Sequence, residues 1–225
     1  TNNDDSVIIE CGVKQGSTLA ILAKEFPKRK IIGLDTFSGF PHFCEIDAPS
    51  KSRKVRLQKR LHGAKTKDDC IRTLKQNGVY EQCQLIEGDI LKTVPGWCRK
   101  HPCDVNFLHI DTDLYEPAKV AVEYFWPLLI EWGVVFFHDW ESKRFPGIKK
   151  VVDELTTDTD KYNKSYLFIL GLLFRPSICL KLPPRRETRG GSISTASQAM
   201  LLESEKHTFH ENKGKKCLYK TWKVR

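Results

Sequence analysis

Five times within the first 140 residues a short apolar run stops at an acidic residue and a turn. The runs are Val7-Ile-Ile-Glu10, Ile31-Ile-Gly-Leu-Asp35, Gln84-Leu-Ile-Glu87 with Gly88-Asp89, Val105-Asn-Phe-Leu-His-Ile110 with Asp111, and Val134-Val-Phe-Phe137 with His138-Asp139. Runs of this length and composition predict strands, and Val134–Phe137 is nearly all apolar, as a strand covered on both faces should be. Between them lie helical patterns at 17–26, 68–76, 117–125 and 147–155. Ser17 is placed to accept a hydrogen bond from the free amides of the first helix, and Pro127 is expected to kink the helix opened by Pro117. Strand and helix in alternation predict an α/β fold: a doubly wound, mostly parallel sheet in a three-layer arrangement.

Such sheets bind ligands outside the carboxyl ends of their strands, where strand order reverses. Any one of Glu10, Asp35, Asp89, Asp111 and Asp139 reads equally well as a turn residue bonding its own backbone. Five at one edge form a pattern. The first turn, Glu10-Cys-Gly12-Val-Lys-Gln-Gly16-Ser17, has glycines four apart, which is not the G-x-G-x-x-G of dinucleotide folds. Gly12 and Gly16 allow close backbone approach, while Glu10 near the helix entrance opposes a pyrophosphate and suits an amino-acid or sulfonium cation. That argues against a nicotinamide cofactor. Asp35, with Thr36 beside it, stands where an acid takes the two ribose hydroxyls.

Asp111 and Asp139 follow the fourth and fifth strands, which lie ~4.8 Å apart if they pair. Carboxylates held that close repel unless a proton or cation sits between them, and hard oxygen donors suit a divalent ion. His138 reads as a supporting residue, an added metal ligand or a general base. His109 alternates with its strand and is expected to be a satisfied core histidine.

Charge and cysteines bound the partners. The chain carries 37 Lys/Arg against 28 Asp/Glu, yet residues 1–170 hold 25 against 24, so the basic character belongs to residues 171–225. Nucleic acid is therefore not an expected partner of the body. Eight cysteines without a C-x-x-C pair point to a reduced, cytoplasmic protein. The longest apolar run, 166–174, reads as a sixth strand and falls short of the ~20 residues that span a bilayer. The expected division is a core at 1–174 and a basic, partly linker-like tail at 175–225, with Pro183-Pro184, Gly190-Gly191 and a last strand within 217–224. Residues 42–68, densest in charge from Lys51 to Arg60, read as a solvated loop or helix face rather than an anion site.

Taken together, Glu10-Cys-Gly-Val13 with Gly16-Ser17, Gly33-Leu-Asp-Thr-Phe-Ser-Gly-Phe-Pro41, Glu87-Gly-Asp89, His109-Ile-Asp-Thr-Asp-Leu-Tyr-Glu-Pro117 and Gly133-Val-Val-Phe-Phe-His-Asp139 resemble the macrocin O-methyltransferase family. The resemblance covers residues 7–155. It implies a Rossmann-like class I methyltransferase with S-adenosylmethionine held by Glu10, Gly12, Gly16, Ser17, Asp35, Thr36, Gly88, Asp89 and Asp111. It further implies a divalent metal, magnesium by analogy, at Asp111, His138 and Asp139. The implied acceptor is a hydroxyl on a sugar or glycosylated small molecule, and Asp111 or His138 is the catalytic residue expected to take its proton. His138 stands where the family commonly has another aspartate, which leaves the metal's identity open. Relatives carry a longer amino-terminal region that helps cover the site and form homo-oligomers. Rival readings are a catechol-like acceptor, a nicotinamide oxidoreductase, and a non-catalytic module whose basic tail binds nucleic acid.

Overall fold

The computed structural model describes residues 5–60, 64–140, 142–157, 167–171, 176–181, 209–212 and 215–218. One unit comprises Thr1–Gly171 with Arg175–Pro184; the second comprises Leu172–Phe174 with Arg185–Arg225. The second unit contains a two-stranded antiparallel hairpin, β8 (Phe209–Asn212) with β9 (Lys215–Leu218). The strand expected within 217–224 lies partly outside the described residues.

The first unit is built on a seven-stranded sheet in the order β3-β2-β1-β4-β5-β7-β6. Its strands are β1 (Val7–Cys11), β2 (Ile31–Asp35), β3 (Cys83–Glu87), β4 (Val105–Ile110), β5 (Leu129–His138), β6 (Leu167–Gly171) and β7 (Pro176–Lys181). The first five run parallel, and β7 joins β5 and β6 antiparallel. The chain leaves β1 toward β2 and β3, then returns across β1 to β4, so the order reverses between β1 and β4. That reversal opens a crevice at the carboxyl edge. Residues 176–181, whose neighbourhood reads as linker by composition, thus belong to the sheet.

Helices cover both faces. Ile8, Ile31 and Val13 pack against Leu19, Ala20 and Ala23 of α1 (Ser17–Glu25) and Cys70 and Leu74 of α3 (Lys67–Gln76). On the other face Ile9, Cys11, Leu108 and Ile110 meet α4 (Ile90–Lys100), α5 (Tyr115–Phe125) and α6 (Pro146–Thr157). Successive strand residues point to opposite faces, which is why neighbours Ile8 and Ile9 serve different cores. Burying each such side chain contributes roughly 1.5–3 kcal/mol before entropy is charged against it.

Two local expectations change, and one helix, α4, is not among those expected, Pro95 and Gly96 both being poor helix formers. It forms because Asp89 caps it, accepting from the Leu91 amide at 3.1 Å, and because Ile90, Val94 and Trp97 bury one face. Pro127 does not kink α5; the helix stops at Phe125 and Pro127 sits in the 3-10 turn Trp126–Leu128 that follows. The cap of α1 is Gly16, left-handed at φ 82°, with no side-chain cap, and Ser17 is the first helical residue instead. Among the described residues no helix is long and apolar enough to cross a membrane, and Cys11, Cys44, Cys70, Cys83, Cys98 and Cys103 are free thiols.

Candidate active site

A cleft of about 520 Å³ opens at the carboxyl ends of the parallel strands. Of the residues expected at the site, Gly12, Asp35, Thr36, Asp89, Asp111 and His138 line it; Glu10, Gly16, Ser17, Gly88 and Asp139 do not. A more open depression of about 580 Å³, between the starts of β2 and β3, carries none of them.

The turn after β1 is held from two sides. Gly12 has φ 91°, and a Cβ there would lie 2.1 Å from the Asp111 carbonyl oxygen, so only glycine lets the turn lie against the end of β4. Asp35, from β2, accepts the amides of Val13 and Lys14 on Oδ2, both at 2.7 Å, and that of Phe37 on Oδ1 at 2.8 Å. The carboxylate thereby fixes the loop while still facing the cleft. Thr36 donates to the Gly39 carbonyl at 2.6 Å, closing the following turn. Asp89 caps α4 and has the His42 ring 3.4 Å away.

Glu10 sits beneath the cleft, 1% exposed, opposite His109 in the β1–β4 register. Its Oε1 meets His109 Nδ1 at 2.9 Å; among the described residues Glu10 Oε2 and His109 Nε2 have no partner. Burial pushes the Glu10 carboxyl above the usual range, opposed by the hydrogen bond and charge of His109. The expected core histidine is therefore satisfied on one ring nitrogen only.

Beside this pair, β4 and β5 bring Asp111, His138 and Asp139 together, their ligand atoms all within 4.8 Å of one another. His138 Nδ1 lies 2.9 Å from both Asp111 Oδ1 and Asp139 Oδ2. The hydrogen bond to Asp111 and the charges of both acids lift the imidazole to about 9, against the opposing effect of partial burial. The two carboxylates flanking the ring thus favour its protonated form. Asp139 adopts a left-handed φ of 61° and Asp113 one of 63°, conformations that aspartate tolerates better than most side chains and that concentrate at functional sites.

Sequence reasoning did not find Asp47. It is 1% exposed, and its carboxylate accepts the Tyr115 amide at 3.1 and 3.2 Å, capping α5, whose N-cap residue Leu114 offers no side-chain bond. The two residues are 68 apart in sequence, so no local pattern announces the contact. His42, Lys59 and Lys65 line the cleft from the excursion after β2, the segment 42–68 from which the sequence leads one to expect part of the acceptor pocket, although no pattern singles out these three residues.

Against known proteins, a family described as "Methyltransferase domain" matches residues 9–140. No curated protein matches the chain. Among solved structures, the calicheamicin methyltransferase CalS11 is 26% identical with a TM-score of 0.55, over 78% of this chain and 72% of that one. A second CalS11 structure describes it as a TDP-rhamnose 3'-O-methyltransferase. The O-methyltransferase NovP shares the fold at 21% identity and a TM-score of 0.64, covering 81% and 74%. An O-methyltransferase from Bacillus cereus in complex with SAH does so at 12% and 0.57, covering 80% and 75%.

Proposed function

Because this chain belongs to the methyltransferase domain family and is an S-adenosylmethionine-dependent O-methyltransferase, we propose that it methylates a hydroxyl of a sugar or glycosylated small molecule with the help of a divalent cation. The observation that carries the metal is the convergence of Asp111, His138 and Asp139 on one point at the cleft edge. Two carboxylates brought within 2.9 Å of one imidazole nitrogen suit an ion with hard ligands, and the ring, once its proton is displaced, is compatible with magnesium, manganese or a softer metal. The sugar hydroxyl is supported by what CalS11 is described as acting on.

In this reading Gly12, Asp35, Thr36 and Asp89 hold the methyl donor, and Asp111 faces both donor and acceptor. Glu10 acts from below the floor, where its ionised form, though opposed by burial, would favour a sulfonium above it. When bound, S-adenosylmethionine supplies an electrophilic methyl group, and the divalent ion supplies Lewis-acid activation of the acceptor hydroxyl. Whichever of Asp111 and His138 does not hold the ion would take the hydroxyl proton, and the cleft walls would hold the acceptor beside the donor. The test is transfer of labelled methyl from S-adenosylmethionine to sugar and catechol panels, with magnesium and with EDTA. EDTA-sensitive transfer to a sugar hydroxyl is expected. Transfer that ignores EDTA removes the metal, and transfer to catechols alone removes the sugar.

A further inference from the structure

Positive charge in the body of the chain is gathered where neither the methyl donor nor a metal has use for it. Helix α2 (Lys51–Arg60) holds six Lys/Arg and no acid, although residues 1–170 as a whole are balanced to within one charge. Its path is fixed at one end by Asp47, which caps α5. Arg53 donates from Nε to the Asp47 carbonyl at 3.3 Å and sets its guanidinium 5.8 Å from the Phe145 ring centre, ahead of α6. Leu57, 1% exposed, pins the middle. Beyond it Lys59, and then Lys65 just before the Thr66 cap of α3, line the cleft together with Lys14 of the first turn. The segment thus runs from the starts of α5 and α6 across to the cofactor turn.

The cleft consequently carries both signs of charge: the acids Asp35, Asp89, Asp111, Asp113 and Glu116 and the lysines Lys14, Lys59 and Lys65 all line it. Among the described residues no carboxylate pairs with Lys14 or Lys59, and the charge of Lys65 is felt by Asp69 outside the cleft. A sulfonium and a divalent ion are both cations, which the lysines repel. Apart from the single carboxylate at the donor's amino-acid end, the anion that would account for them is one carried by the acceptor.

We propose that Lys59 and Lys65, on and beside helix α2, bind an anionic phosphate ester or diphosphate carried by the acceptor, so that the substrate class is a phosphorylated or nucleotide-linked sugar rather than a neutral glycoside. This rests on the methyltransferase reading above and deepens it. Ammonium groups act on phosphate as mobile point charges, which suits a group held at a cleft mouth. It also replaces the reading of the basic run as a merely solvated face.

The test is calorimetry on the full chain, first with S-adenosylhomocysteine and then with pyrophosphate added to the saturated protein. The wild type, the double variant Lys59→Glu/Lys65→Glu and the control Lys54→Glu, on the same helix but away from the cleft lining, are compared at low and moderate salt. One pyrophosphate per chain is expected, about tenfold or more weaker in the double variant, equivalent to roughly 1.4 kcal/mol, and unchanged in the control. S-adenosylhomocysteine affinity stays the same in all three. No pyrophosphate binding, equal binding in the double variant, or a parallel loss of S-adenosylhomocysteine, which would place the lysines on the cofactor carboxylate, each overturns the proposal. A short single-stranded RNA that binds more tightly than pyrophosphate and is lost in the same double variant overturns it in favour of a polymer substrate. Failure of the wild type to bind S-adenosylhomocysteine strikes the methyltransferase reading instead.

Discussion

The ends of β1 to β3 and the ends of β4 and β5 present the same signal in sequence, an acid after an apolar run, and use it for different physical purposes. In the first region Asp35 and Asp89 are committed to backbone, while Glu10 bonds the His109 ring beneath them. Asp35 holds three amides and Asp89 caps α4. In the second, Asp111 and Asp139 turn toward one side chain, His138, and surround a positive charge. A carboxylate that satisfies amides builds a rigid wall, whereas two that face each other create a demand for a cation. In the proposed reading the donor half of the cleft is therefore preorganised by hydrogen bonds, and the metal half by charge.

The largest effect comes from breaking the boundary between the halves. Gly12→Ala sets a Cβ 2.1 Å from the Asp111 carbonyl oxygen at a φ of 91°, and the three nearest atoms are all backbone, so neither side can yield cheaply. S-adenosylhomocysteine binding, followed by calorimetry, is expected to fall by about a hundredfold or more, a loss of roughly 2.7 kcal/mol. Retained affinity would show that the turn is looser than described. Next, Asp139→Asn weakens the metal half alone. Magnesium-dependent turnover should drop by about 10- to 100-fold while S-adenosylhomocysteine affinity stays within a factor of about two; equal loss of both would mean that the two halves are one unit.

The division was only partly legible beforehand. The alternation of strands and helices and the edge that carries the chemistry follow from Glu10, Asp35, Asp89, Asp111 and Asp139, because strand length and polarity are local properties. Which acid holds backbone and which holds charge is not local, since it depends on register. Glu10 faces His109 only because β1 and β4 pair as they do. Helix α4 was hidden because Pro95 and Gly96 lower helical propensity, and the cap of Asp89 with the apolar face of Val94 and Trp97 overrides them. The Asp47 to Tyr115 contact was hidden by sequence distance, and Ser17 lost its capping role to a glycine whose left-handed conformation a pattern does not display.

Asp47 supplies a smaller, sharper test, since it uses the backbone-holding mode on the metal side of the molecule. Asp47→Ala should cost about 1–2 kcal/mol in urea unfolding, the usual worth of a lost helix cap, with Asp47→Asn milder because an acceptor oxygen remains. Burial holds the Asp47 carboxyl above its ordinary range, opposed by bonds from Cys44 and Tyr115. The folded chain thus binds this proton more tightly than the unfolded chain. Its stabilising effect is present at acid pH and declines as pH rises through the folded value. Unfolding series at pH 4 to 7 should show that slope in the wild type and not in Asp47→Asn; identical slopes would remove the assignment.

The smallest expected signal is chemical. Burial pushes Cys70 up to about 12 and Cys83 and Cys98 up to about 11, all three packed around the sheet rather than in the cleft. Iodoacetamide at pH 8 should label these sites slowly in the native chain and quickly in urea, read by peptide mass spectrometry. Fast native labelling at Cys70 would show that α1 and α3 do not seal this side of the donor half.

The contrast between a wall that holds backbone and a cradle that holds charge is tested most directly by titrating manganese into S-adenosylhomocysteine-saturated protein and counting bound ions by electron paramagnetic resonance. One ion per chain in the wild type, retained in Asp35→Ala and lost in Asp139→Asn, is the predicted result. Manganese binding that is the same in all three proteins, or absent from the wild type, would contradict it.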